Sequence, residues 1–221
     1  MRIMAHLSGD QRLIDAFHSG EDLHTTVAAQ VFAVEPGDVD ADMRRRIKAM
    51  SYGLAYGLSA YGLAQQLAVD PAEAQRLMDS YFERFGRVRD YLRDVVATAR
   101  TTGYTETMFG RRRYLPDLNS DQRVRRELAE RMALNAPIQG TAADIIKRAM
   151  LRVEQALETS GVKSRLLLQV HDELVLECPQ SEVHEVSALV QAEMGIPVLA
   201  SSIVAFAAAA VTLRRPPEVQ D

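Results

Sequence analysis

Residues 165–178, RLLLQVHDELVLEC, set two short apolar runs on either side of a polar centre, His171-Asp172-Glu173. Both runs are too short for helices and rich in leucine and valine, so the segment reads as a hairpin with acids at its tip. Adjacent carboxylates alternate sides in an extended chain, so one can face a metal while the next supports it from behind. Most His-Asp-Glu clusters are solvated turns. Here the turn lies between strands of an apolar sheet, which counts against that ordinary explanation.

The first 100 residues are patterned for helices. Ser8 is placed to cap one that runs to about His18 and ends at Gly20. A second covers about Asp22 to Phe32, and a third starts at Asp40 and runs to about Leu58. A fourth opens with Pro71 in its first turn and ends near Gly86; a fifth covers Val88 to Thr101 and stops at Gly103. The pattern then changes. Tyr104–Phe109 and Arg112–Leu115 flank Gly110 and predict a hairpin ending at Pro116. Helix returns from Asp121 to Leu134, Pro137 marks a break or kink, and a long helix follows to about Thr159. A last helix runs from Pro179 to about Met194. The fold class is α+β, a helical half followed by a mixed half with a small antiparallel sheet.

Composition narrows the function classes. One cysteine in 221 residues excludes a disulfide scaffold and a Cys-rich zinc module, and points to a reducing, cytoplasmic home. The chain opens MRIMAHLSGDQRL, with no charged-then-apolar leader. The net charge of −4 hides an asymmetry: 111–131 holds seven arginines against four acids, and 154–193 eight acids against two bases. Such a surface suits phosphates beside metal cations, although on charge alone two differently solvated faces are the preferred account. There is no Walker loop, dinucleotide fingerprint, His-Glu-x-x-His helix or nucleophile elbow.

Arg44, Lys48, Tyr52 and Tyr56 recur at every fourth position of the third helix and share one slowly rotating face. Two cations and two rings suit a nucleotide's phosphates, sugar and base. The same spacing also describes two core tyrosines with two cations reaching solvent. Arg131, Asn135 and Gln139 repeat the spacing downstream of Gly110-Arg111-Arg112-Arg113-Tyr114, and could read groove edges or simply lie at a helix boundary. His24 stands alone.

Together these segments resemble the fingers and palm of the family A DNA polymerases, the bacterial polymerase I type. MRRRIKAMSYGLAYGLS is similar to the family's nucleotide-binding helix, and LLLQVHDELVLE to its second catalytic carboxylate motif. ETMFGRRRYLPDLNS and ERMALNAPIQGTAADIIKRAM are similar to the stretch between them, and the likeness covers about residues 2 to 194. The QVHDE hairpin and the RRRYLP stretch favour DNA synthesis over the related single-subunit RNA polymerases.

The resemblance implies template-directed transfer of deoxynucleotides to a primer 3′-hydroxyl, with two magnesium ions, in DNA replication and repair. It assigns Asp172, Glu173 and Lys48 to catalysis, with Asp172 the metal ligand. It makes Arg44 and Lys48 the triphosphate grips, with His24 a further phosphate contact. Tyr52 would meet the incoming sugar, a tyrosine there implying tolerance of dideoxynucleotides, and Tyr56 would stack near the templating position. Arg131, Asn135, Gln139 and His171 would touch the primer–template. Residues 1–103 would be the fingers region, 104–194 the palm region and 195–221 a divergent tail. The tail begins with an uncharged run from Gly195 to Leu213, weakly apolar for a membrane anchor.

In the family the first catalytic aspartate and its glutamate precede the RIMAHLSGD-like segment. The expectation is therefore a fragment without them, its second metal site incomplete and its own polymerisation lost, with a separate upstream chain as one source of the missing strand and thumb. The alternative is a truncated product that binds nucleotide or primer–template without turnover.

Overall fold

Side-chain caps set most helix starts. The computed structural model describes residues 1–18, 22–170, 173–195 and 211–214. Asp22, Asp40, Ser59 and Asp70 each accept a backbone N–H from the first turn of α3 (Leu23–Phe32), α4 (Ala41–Ala55), α5 (Ala60–Leu67) and α6 (Pro71–Arg84). Ahead of these lie α1 (Arg2–Ser8) and α2 (Gln11–His18); after them come α7 (Gly86–Thr102) and α8 (Arg123–Ser160). Between α7 and α8, β1 (Tyr104–Glu106) pairs antiparallel with β2 (Arg112–Tyr114). The remainder is β3 (Arg165–Val170), β4 (Glu173–Glu177), α9 (Val183–Gly195) and β5 (Val211–Arg214). The fold is α+β and mostly helical.

The chain separates into two compact units, Met1–Thr141 and Ala142 onward, and the division falls inside α8. The core of the first unit gathers Met4, Leu13, Val27, Ile47, Met50, Leu63, Tyr81, Phe85 and Val88, drawn from α1 through α7. A smaller cluster of Ala99, Leu115, Leu118, Ala129 and Ala133 sets α7 and the start of α8 around the first hairpin's end. In the second unit, Ala149, Val153 and Leu157 of α8 pack with Leu174, Leu176 and Cys178 and with Val186, Val190 and Met194 of α9. The alternation of β4, with Leu174 and Leu176 fully buried, matches one face of a strand laid on helices.

Several sequence expectations change. Ser8 does not open a helix that runs to His18: it ends α1, its hydroxyl donating to the Ala5 carbonyl at 3.2 Å. Gly9 then turns the chain in the left-handed region, and the Asp10 carboxylate accepts the Leu13 N–H at 3.3 Å to start α2. The expected stop at Gly20 lies outside the described residues. Helix α4 ends at Ala55 rather than near Leu58, because Gly57 (φ +68°) reverses the chain and Ser59 starts α5, a helix the glycine-rich sequence concealed.

Pro137 does not end a helix either. Helix α8 continues through it, although proline supplies no N–H to the carbonyl four residues back. Pro137 is buried and Ile138 packs against the main core, so tertiary contacts hold the turn that propensity disfavours.

Both hairpins form. The second pairs Arg165 with Glu177 and Val170 with Glu173, with a bulge between Leu166 and Leu168. Strand β5 joins β4 in parallel, within the segment expected to be a divergent tail. No described helix is long and apolar enough to cross a membrane; most of the 195–213 run lies outside the described residues.

Candidate functional site

Helix α4 has two unlike sides. Ile47, Met50 and Leu54 are buried in the main core. Arg44, Lys48, Tyr52 and Tyr56 point the other way: both cations are exposed, and the tyrosines keep 43% and 47% of their surface. The alternative of two core tyrosines is thereby excluded, and a row of two charges and two rings faces solvent. Its start is fixed by Asp40, whose carboxylate accepts the Met43 N–H at 2.7 Å. Arg46, on a different side, bridges Asp42 and Glu73 of α6 at 2.6 Å each, which ties α4 to its neighbour.

Arg44 is held by a carboxylate 22 residues away. Its Nε donates to Asp22 Oδ2 at 2.8 Å and its Nη2 to Oδ1 at 3.0 Å. Asp22 Oδ2 also accepts the Thr25 N–H at 2.9 Å and the Thr25 hydroxyl at 2.7 Å. Hydrogen bonds from the Arg44 guanidinium, foremost, and from Thr25 hold the Asp22 carboxyl well below the usual carboxylate range. Lys48 makes no ion pair among the described residues.

His24, isolated in the sequence, lies in the first turn of α3, two residues after Asp22. Its ring centroid is 6.0 Å from that of Tyr52, and its buried Nδ1 has no hydrogen-bond partner among the described residues. Burial, foremost, lowers its pKa; Asp22 opposes that, and Arg44 and Lys48 add to it, so the neutral ring is favoured. The structure thus brings His24, Arg44, Lys48 and Tyr52 together.

Tyr56 leads to a second set. A Cβ on Gly57 would lie 2.8 Å from Leu134 Cδ1 and 3.3 Å from Arg131 Cγ, so the turn after α4 rests directly on α8. Only glycine fits there, since the left-handed backbone and the close approach coincide. Leu58 fills the slot between α4 and α5, where a Cβ on Gly53 or Gly62 would lie 2.7 Å from its methyls. On α8, Arg131 and Gln139 are exposed, while half-buried Asn135 has a buried Oδ1 without a hydrogen-bond partner among the described residues. Gly57 and Asp22 are the residues sequence reasoning missed; the first was visible only as one glycine among several, the second only as a helix start.

The basic stretch is largely committed to structure. Arg111 donates to the Gly140 carbonyl at 2.9 Å, beside the Thr141 hydroxyl that accepts the Met108 N–H at 3.1 Å. Arg112 sits 4.5 Å over the Tyr104 ring and pairs with Glu106 at 2.8 Å. Arg123 pairs with Glu127, and Arg126 donates to the Ser120 carbonyl. Arg113 and Arg125 are exposed.

In the second unit, Glu173 is half-buried at the start of β4, opposite Val170. His171 and Asp172 lie outside the described residues, and among the described residues no group of three or more His, Cys, Asp or Glu could hold a metal.

Comparison with known proteins places the fold. The structure is similar to the POL domain of Pol1 from M. smegmatis, solved in complex with DNA primer-template and dNTP. The TM-score is 0.84 at 62% identity, over 88% of this chain and 34% of that one. The fold is that of part of a polymerase domain. DNA polymerase I of Mycobacterium tuberculosis is 62% identical over 195 residues, 88% of this chain and 22% of the relative. DNA polymerase I of Streptococcus pneumoniae is 49% identical over the same length, again 22% of the relative. The chain thus spans about a fifth of the length of these relatives. The family model of DNA polymerase family A matches residues 1–207, and the chain belongs to that family.

Proposed function

We propose that this chain forms the nucleotide-gripping and primer-holding part of a DNA-directed DNA polymerase. The observation that carries the proposal is the solvent-facing row of α4, two cations followed by two rings, with His24 beside Tyr52. Arg44 and Lys48 take the triphosphate of an incoming deoxynucleotide, where charge-assisted hydrogen bonds orient it. Tyr52 lies against the sugar and Tyr56 near the templating base, which fixes the reacting phosphate relative to the primer. Arg131, Asn135, Gln139 and His171 hold the primer–template.

In the reaction, the primer 3′-hydroxyl attacks the α-phosphorus, a new phosphodiester bond forms, and the bond to the bridging oxygen breaks to release pyrophosphate. Lys48 offsets the charge that grows on that leaving group. Asp172 is an oxygen donor of the type a hard cation such as magnesium takes and would hold it, with Glu173 beside it. Bound there, magnesium would supply charge neutralisation at the reacting phosphate.

The test is fluorescence anisotropy of a labelled primer–template, with and without the complementary deoxynucleotide. Arg131→Ala and Gln139→Ala are expected to weaken DNA binding, and Lys48→Ala to remove the nucleotide's effect while leaving DNA binding in place. DNA binding indifferent to Arg131 and Gln139, and a nucleotide effect indifferent to Lys48, would refute the proposal.

A further inference from the structure

We propose that Asp22 is a placeholder for nucleotide phosphate, holding Arg44 until a triphosphate displaces it. This rests on α4 being the nucleotide grip. The Asp22 carboxylate occupies the Nε and Nη2 edge of Arg44, the fork with which a guanidinium takes a phosphate's two oxygens. An incoming triphosphate therefore meets Lys48 open and Arg44 taken. Binding exchanges one two-oxygen anion for another instead of filling an empty site.

Three observations make the exchange workable. Both partners are about half exposed, at 47% and 44%, so the pair opens without carrying a bare charge through the core. Asp22 Oδ2 keeps two Thr25 donors after Arg44 leaves, so the released carboxylate is not stranded. The other arginines of α4, Arg45 and Arg46, are paired with Asp42 and Glu73 on a different side, so Asp22 bears on the one arginine of the row. The device sets a threshold: a ligand with several phosphate oxygens outcompetes Asp22 on Arg44, and a weaker anion does not. Asp22 acts through Arg44 and is a positioning residue.

The experiment is a double-mutant cycle on the full chain, read by calorimetric titration with dTTP and with inorganic triphosphate. Asp22→Asn keeps a good cap for α3 while removing the charge and one acceptor oxygen. It is expected to tighten binding about two- to fivefold, the factor that matches an exposed ion pair of up to about 1 kcal/mol. Arg44→Ala is expected to weaken binding, and Asp22→Asn in the Arg44→Ala background to do nothing more. Asp22→Ser, also a good cap, should repeat the tightening, which a purely structural role would not produce.

Loss of affinity or no change in Asp22→Asn, with Arg44→Ala still weakening binding, overturns the placeholder and leaves the nucleotide grip standing. Equal tightening with and without Arg44 also overturns it, because the carboxylate would then act through its field alone. No effect from Arg44→Ala overturns placeholder and grip together.

Discussion

Gly57→Ala is the substitution that most directly tests how α4 is seated on α8. Gly57 has φ +68°, where a Cβ costs about 1–2 kcal/mol. That Cβ would also sit 2.8 Å from Leu134 Cδ1 and 3.3 Å from Arg131 Cγ. Overpacking of this kind costs about 1–3 kcal/mol, and the stiffer unfolded chain returns about 0.4–1 kcal/mol. The net destabilisation is about 1–4.5 kcal/mol. Urea unfolding should show a lower midpoint with an unchanged slope, the sign of lost stability rather than an altered denatured state. Leu134→Ala made in the Gly57→Ala background should recover the clash component, seen as coupling between the two sites. A loss below about 1 kcal/mol, outside the combined range of strain, overpacking and chain stiffness, would refute both the backbone strain and the close approach.

Other outcomes follow from single features. Ala68 ends α5 in the left-handed region at φ 54°, so Ala68→Gly should stabilise the chain by about 0.5–1 kcal/mol in the same urea assay. The His24 pKa is lowered in the folded state, so the unfolded chain takes up the proton first on acidification. Stability should therefore fall as the pH drops through 6.5, the ordinary value, and His24→Gln should flatten that limb of the pH–stability curve. Asp22 shows the other case: its contribution is present at neutral pH and is lost as the pH falls below the usual carboxylate range, which Asp22→Asn should abolish.

Much of the fold was legible because local signals were strong. Asp22, Asp40 and Asp70 cap the helices where the sequence put them, and Gly103 ends α7 in the left-handed region. The first hairpin was visible as β-type residues around Gly110, and the second as apolar runs too short for helix. What escaped were contacts between distant residues. Helix α5 was hidden by the glycines at 57 and 62, whereas Gly62 is glycine so that Leu58 can pack against it. Pro137 read as a break or kink because its burial has no sequence signature.

The α4 row was legible as a spacing, but its two meanings parted only when the tyrosines proved to lie at the surface. The Asp22–Arg44 pair spans 22 positions with no periodicity to announce it. Motif resemblance supplied roles that neither spacing nor charge could.

The central claim is that the exposed row of α4 grips a nucleotide. Its most direct test is titration of the chain with dTTP, comparing Lys48→Ala with Arg45→Ala, a cation of the same helix that pairs with Asp42. The account predicts that Lys48→Ala weakens binding at least tenfold, about 1.4 kcal/mol, and that Arg45→Ala changes it less than twofold. Equal losses from both substitutions would contradict it, since binding would then follow the helix's overall charge instead of one face.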